Sequence, residues 1–496
     1  MKELMAFYNE YKAKSAAYNL AIAQMYFDEG TIAPENGKDY TNQMISILSG
    51  EYFAHITNPD NMAKLEELYQ QADTETLKKE LALLLDDLSE LKSMPKQQYI
   101  ELTRAIAESE HAWHKAKAES NYQLFLPHFK KVVEMRKMAL SYNPKRTSMS
   151  DYDIQLNMFE RGTNKKVYDA FFAKVKSELL PLIKKIASLP PVDDSILFAH
   201  YDVNRQAAFM AELNEFLQVD PNDCYMGTTE HPFTTFFSTN DVRITTHYYE
   251  DSLMSAIFST IHEYGHARYG LQVNHDYDMS TLYTDIGSAM HESQSRFLEN
   301  YIGRSKAFWT SLYPKFQNCF EEFSNVSLDE FIRMINNVKC SLIRTEADEL
   351  TYPIHVLIRY EMEKQLFDGE LDMNNANKIW ADKYAEYLGV RPQNDKEGIL
   401  QDVHWSEAYL GYFPTYAMGS AYAAQFYDFM KRDFDVESAL KQGQMDKVYE
   451  WQKANIHRYG ALYQVDEIMQ RIGNEKFNPD YYINYLKDKY TKLYNL

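Results

Sequence analysis

Cysteine is nearly absent from this chain, with Cys224, Cys319 and Cys340 alone among 496 residues. An odd, widely spaced set excludes a disulfide framework, and none of the three falls at a metal-ligand spacing. Proline and glycine are sparse as well, 15 and 17 residues, and they never gather into a linker. Neither a fixed-period repeat nor a low-complexity tract is present. No apolar run approaches the roughly 18 residues needed to cross a bilayer. Met1-Lys2-Glu3-Leu4 opens the chain without the apolar core or small-residue cleavage site of an export signal. Lys and Arg are outnumbered by Asp and Glu, 52 to 72, for a formal charge of −20. That balance argues against phosphate backbones or anionic membranes as partners, since both are held by clustered basic residues. These absences lead to the expectation of an acidic protein of the reducing cytoplasm, with no nucleic acid and no membrane as partner.

What the chain does have is helical periodicity. Lys78 to Met94 carries Leu81, Leu83, Leu84, Leu85, Leu88 and Leu91, and Gln97 to Phe125 continues with charged residues between apolar ones. Asn58-Pro59-Asp60, Pro95, Pro127 and Asn143-Pro144 are expected to punctuate these helices. From residue 224 to 250 the pattern changes to Thr, Phe, Tyr, Ile and Val, with Val242, Ile244 and Thr246 alternating. That reads as a hairpin or a three-stranded sheet. The expected fold is mainly α, with long helices forming a deep groove and a small β-sheet at about 224–250 in its wall. The chain is read as one catalytic unit over 1–496, with a helical N-terminal part (1–222) and a site-bearing part (223–496).

The sheet is followed by His262-Glu263-Tyr264-Gly265-His266, which reads as H-E-x-x-H. On a helix this sets two imidazoles one turn apart on the same face, able to bind one metal ion, with a carboxylate between them that can act on water. A random chain of this composition shows the pattern roughly three times in a hundred. The flanks separate this instance from chance. Leu253, Met254, Ala256, Ile257, Phe258 and Ile261 make an apolar helix leading into the motif. Polar groups continuing such a helix are partly buried, where a metal offsets the cost of desolvating them. A hydrolytic zinc site takes three protein ligands and leaves the fourth position open. The third is sought in a second helical segment, Gly287 to Phe297, where His291 and Glu292 are both candidates. Adjacent helical residues diverge by about 100°, so one of the two reaches the metal.

The two segments together resemble the thermostable (Taq-type) carboxypeptidase family, which joins H-E-x-x-H to a later H-E-S-Q, here His291-Glu292-Ser293-Gln294. The family's other motifs follow the same order in this chain. They are His231-Pro232-Phe233, Asp241-Val242-Arg243-Ile244-Thr245, Ile343 to Asp348 (I-R-T-E-A-D), Gly398 to Trp405 (G-I-L-Q-D-V-H-W) and Gly411 to Tyr416 (G-Y-F-P-T-Y). The chain departs from the pattern at His247, where an arginine is expected, and at Tyr283 to Ile286. The resemblance implies a metallocarboxypeptidase with His262, His266 and Glu292 as metal ligands and Glu263 as catalytic base. It also implies a homodimer and peptide substrates with a free C-terminus. Two imidazoles and a carboxylate suit Zn, with Co or Mn as alternatives.

Further roles follow within that frame. Tyr416 and His404 are the candidates for stabilising a developing oxyanion. Arg344 is the candidate anchor for the substrate's terminal carboxylate, because a guanidinium donates two parallel hydrogen bonds. Its local alternative is a helix pair with Asp348. Arg243 is the second anchor candidate, with a structural pair to Asp241 as its alternative, and His231 joins the substrate-binding set. Glu299, two turns beyond Glu292, is either a partner of a metal-bound imidazole or a surface residue. A metal-dependent oligoendopeptidase is the nearest competing reading, and a non-catalytic helical binding protein the more distant one.

Overall fold

The computed structural model describes all residues, Met1 to Leu496. Four helices open the chain, Lys2–Thr31, Lys38–Ile56, Pro59–Gln71 and Glu75–Ser93, and they enclose a small core of their own. It is built from Tyr8, Tyr11, Ile56, Met62, Leu65, Leu68, Leu81 and Leu88. Leu81 and Leu88 are two turns apart on one stripe, whereas Leu91 falls off it and is exposed. Asn58 caps the third helix by accepting from the N–H groups of Asp60 and Asn61, with Pro59 pre-set at the first position. Pro127 behaves differently from expectation. It lies inside the helix Tyr122–Ser141, and the break comes earlier, where Ser120 takes φ 51° and Asn121 caps the new helix through Gln123 N–H.

The main core runs from Trp113 to Tyr494 and draws on both sides of residue 222. The sheet within it has three strands, β1 (Cys224–Thr228), β2 (Thr234–Ser238) and β3 (Asp241–Thr246), in the order β1-β3-β2. The β2–β3 pair is antiparallel and β1 runs parallel to β3. Val242, Ile244 and Thr246 are buried, as their alternation requires. Thr246 donates from its hydroxyl to the Ala256 carbonyl of the next helix. β2 is left as an edge strand.

That next helix, Leu253–Gln272, carries the H-E-x-x-H motif and is buried on most of its circumference. A second helix, Ser288–Arg296, carries Glu292 and continues as a π-helical turn, Phe297–Gly303. This carboxylate helix is clamped between two glycines. A Cβ at Gly265 of the motif helix would lie 2.5 Å from the Gln294 carbonyl oxygen and 2.6 Å from Ser295 Cα. On the other side a Cβ at Gly419, in the helix Phe413–Asp433, would lie 2.8 Å from the Ala289 carbonyl oxygen and from Glu292 Cβ. At Gly265 backbone meets backbone, so no side chain can swing aside to make room, and at Gly419 the contact is with both the backbone and the Glu292 side chain.

Gly265→Ala is therefore expected to destabilise the protein by about 1–3 kcal/mol through overpacking, measured by denaturant unfolding. Metal affinity should fall with it, because the added methyl pushes Glu292 away from the motif helix.

Candidate metal centre

His262 and His266 stand one turn apart on the motif helix with ring centroids 5.1 Å apart. Their Nε2 atoms lie 3.6 and 3.5 Å from the same oxygen, Glu292 Oε2. Those separations are too long for hydrogen bonds. They match the edge of a tetrahedron whose ligands sit at 2.0–2.1 Å from its centre, which is about 3.3 Å. All three donor atoms lie within 4.8 Å of one another, and no cysteine closes the set. Two imidazoles and one carboxylate with an open side are the donor set of a catalytic rather than a structural ion.

The far sides of the ligands are fixed. His262 Nδ1 lies 2.9 Å from Glu299 Oε2, and with Nδ1–H donating there the neutral ring presents its Nε2 lone pair to the other two donors. Glu299 is buried and also accepts from Arg296 Nη1 and Arg304 Nη2, both at 3.1 Å. It is the partner of a metal-site imidazole, and the π-helical turn brings it there. His266 Nδ1 meets His291 Nδ1 at 2.7 Å. With His266 donating, His291 accepts as a neutral imidazole. Burial and the neighbouring His266 push its pKa down to about 3, which keeps it neutral. His291 and Glu292 thus divide the work, one behind a ligand and the other a ligand. Burial acts to raise the Glu292 pKa, but Arg296, His262 and His266 outweigh it and hold the carboxyl well below its ordinary range. Arg296 Nε binds Glu292 Oε1 at 2.7 Å and Ser295 Oγ donates to Oε2 at 3.0 Å.

Glu263 follows His262 directly on the motif helix and is buried. Thr234 Oγ1, on β2, donates to its Oε2 at 2.5 Å, and no protein donor engages Oε1. Thr234 directly follows His231-Pro232-Phe233 and was not singled out by motif; His231 itself is exposed in the turn before β2. Tyr416 OH and His404 Nε2 meet at 3.1 Å. Burial lowers the His404 pKa to about 3, with Arg344 and Arg359 adding to the shift and Asp402 opposing it. Burial holds the Tyr416 hydroxyl well above its ordinary value. Tyr412 stacks edge-on against Tyr416 at 5.2 Å, and burial together with the Glu292 charge pushes its hydroxyl up to about 12.

Arg344 is buried, with its guanidinium 4.8 Å from the Tyr416 ring centroid. Nε and Nη2 donate to Asp402 Oδ1 at 3.2 and 2.9 Å, and Nη1 to Tyr352 OH at 3.0 Å. Two of its five N–H groups are left. Asp348 is no partner of Arg344. It braces the turn before the helix Tyr352–Asp368 by accepting from the N–H groups of Leu350 and Thr351. Arg243 is not brought to this cluster. Its Nε and Nη2 pair with Asp241 at 2.9 and 2.8 Å, and it packs on Phe237 and on Phe27 of the first helix.

Residues 7–490 match the family model described as carboxypeptidase Taq (M32) metallopeptidase. The chain belongs to that family of metallocarboxypeptidases. It is 38% identical to Carboxypeptidase 1 of Bacillus subtilis over 97% of this chain and 96% of the relative. It is 32% identical to Thermostable carboxypeptidase 1 of Thermus thermophilus over 98% of each. The crystal structure of an M32 carboxypeptidase from Deinococcus radiodurans superposes with a TM-score of 0.96 at 28% identity, covering 100% of both chains. As a member of the family the protein is a metal-dependent enzyme that hydrolyses peptides from their C-termini.

Glu363 braces the loop that leads to Tyr416. Its carboxylate accepts from Trp405 Nε1 at 2.7 Å, Gly411 N–H at 2.8 Å and Tyr152 OH at 2.9 Å. Burial nevertheless pushes its pKa up to about 7. The native state then holds a proton that the unfolded chain has already released. The stability it contributes is full below the unfolded value and is lost as pH rises through about 7. Glu363→Gln should flatten the fall in unfolding free energy between about pH 5 and about pH 8, followed by denaturant titration; an unaltered slope would place the charge elsewhere. At the metal ligands, Glu299→Gln should weaken metal binding about 10- to 100-fold, read by chelator competition, with the circular dichroism spectrum retained.

Proposed function

We propose that the enzyme is a zinc-type carboxypeptidase in which His262, His266 and Glu292 hold the metal, with Co or Mn as alternatives. The observation that carries the assignment is the meeting of three donor atoms at tetrahedral spacing beside Glu263. When bound, the metal supplies Lewis-acid chemistry, polarising the scissile carbonyl and making water a nucleophile near neutral pH. Glu263, held by Thr234, takes the proton of the attacking water on Oε1. As the C–N bond breaks, it delivers that proton to the leaving amine nitrogen. The Tyr416 hydroxyl, oriented by His404 Nε2, donates to the developing oxyanion. Arg344 offers its two remaining N–H groups to the terminal carboxylate of the substrate, with Asp402 fixing its plane. An extended peptide adds to the free edge of β2, backbone to backbone. His231 lies at the start of that strand, within reach of the same peptide. Arg243, committed to Asp241, is left with a structural role.

The same reading takes the enzyme as a cytoplasmic homodimer acting on peptides with a free C-terminus. It rests on the family resemblance and on three unpaired cysteines. No helix is long and apolar enough to cross a membrane.

The test is a mass-spectrometric time course on one peptide and its C-terminally amidated twin, with metal, with chelator and with Glu263→Gln. Stepwise shortening of the free-acid peptide alone, abolished by chelator and by the substitution, is expected. Internal fragments from both peptides would replace this reading with an endopeptidase. Arg344→Lys, which keeps the charge beside Asp402 but loses the fork, should depress turnover of the free-acid peptide and so narrow its advantage over the amide.

A further inference from the structure

Tyr352 lies between two groups that the reaction must hold at a set distance. Its ring faces the metal centre and its hydroxyl faces the candidate carboxylate anchor. Arg296 stands with its guanidinium carbon 4.4 Å from the centroid of the Tyr352 ring while Nε binds the metal-site carboxylate Glu292 at 2.7 Å. The Tyr352 hydroxyl accepts from Arg344 Nη1 at 3.0 Å. The residues thus form one continuous line, Glu292–Arg296–Tyr352–Arg344–Asp402, and Asp402 is held in turn by Arg359 Nε at 2.8 Å. Tyr352 is 5% exposed and Arg344 6%, so water does not compete for these contacts.

The placement of Tyr352 is itself over-determined. It is the first residue of the helix Tyr352–Asp368, followed by Pro353, and the Asp348 carboxylate braces the turn just before it by accepting from the N–H groups of Lys339, Leu350 and Thr351 and from Thr351 Oγ1. Its ring also meets the Tyr416 ring edge-on at 6.4 Å. A side chain so fixed has one position to offer each neighbour.

We infer that Tyr352 is a positioning residue that sets the span between the metal and the site of the terminal carboxylate, and with it the preference for a free C-terminus. The inference rests on the reading of Arg344 as that anchor. The hydroxyl orients the Arg344 fork, because accepting from Nη1 leaves the guanidinium only one plane that also satisfies Asp402. The aromatic face holds the half-buried Arg296 behind Glu292, as a cation 4.4 Å from the ring centroid. Ring and hydroxyl therefore have separable effects, which is more than a packing role predicts.

Two variants and one reference separate these outcomes. Tyr352→Phe keeps the ring and removes the acceptor. It should raise KM for a free-acid peptide about tenfold, with the change falling on KM rather than kcat, with the amidated twin still uncleaved and with metal affinity retained. Tyr352→Leu removes the aromatic face as well, and should additionally weaken metal binding about tenfold, measured by chelator competition without substrate. Arg344→Lys serves as the reference. If it raises KM for the free acid while Tyr352→Phe does not, the role of the hydroxyl is overturned. If Arg344→Lys leaves the preference for free acids intact, the anchor reading itself fails. Equal metal affinity in the Phe and Leu variants overturns the role of the ring, and that comparison does not depend on Arg344.

Discussion

The helix that carries Glu292 lies closer to its neighbours than any side chain larger than hydrogen permits. Gly265 on one flank and Gly419 on the other bring three backbones into van der Waals contact. This approach sets the distance from Glu292 Oε2 to both imidazoles, and hence whether an ion of tetrahedral habit fits among them. The motif helix supplies two ligands by its own periodicity. The third depends on helix–helix contact, so the centre is a product of packing as much as of chemistry.

Around that contact the protein gathers more charge than an interior ordinarily tolerates. Glu292 and Glu299 are buried against the half-buried Arg296 and Arg304, and Asp402 lies between the buried Arg344 and Arg359. A buried pair contributes little net stability, but removing one member leaves a charge uncompensated. What such pairs supply here is direction. Glu292 has Oε1 engaged by Arg296 while Oε2 faces the two imidazoles, whereas Glu299 and Asp402 have both oxygens engaged and act only on the side chains they hold. His404 and His291, held neutral by burial, add hydrogen-bonding capacity without adding charge. The catalytic apparatus thus combines anionic ligands, neutral imidazoles and a cationic wall within one water-poor groove.

Much of this was legible residue by residue. The helical texture, the strand signals between 224 and 250, and the motif helix all follow from patterns of period 3.6 or 2, which local sequence carries directly. Three strands form inside the expected segment. Gln97 to Phe125 is less clear, because the helix break falls at Ser120 and Asn121, residues with weaker punctuation than Pro127. Pro127 is the sixth residue of its helix, where it forgoes one i→i−4 hydrogen bond that the neighbouring turns and the packing of the helix outweigh, so its presence does not mark an end.

The sequence alone determined the chemical types at the site. His262, Glu263 and His266 are bound into one constellation by helix geometry, and no tertiary contact is needed to bring them together. Which neighbour completes each side chain was decided only in three dimensions. Thr234 reaches Glu263 from a strand 29 residues away, Glu299 reaches His262 from 37, and Tyr352 stands between Arg296 and Arg344. Arg243 and Arg344 were equivalent as guanidiniums in motifs, yet one packs against the first helix and the other lines the groove beside Tyr416. The reason is physical. Periodicity says which face of an element a residue shares, while the identity of the surface opposite that face depends on how the elements pack.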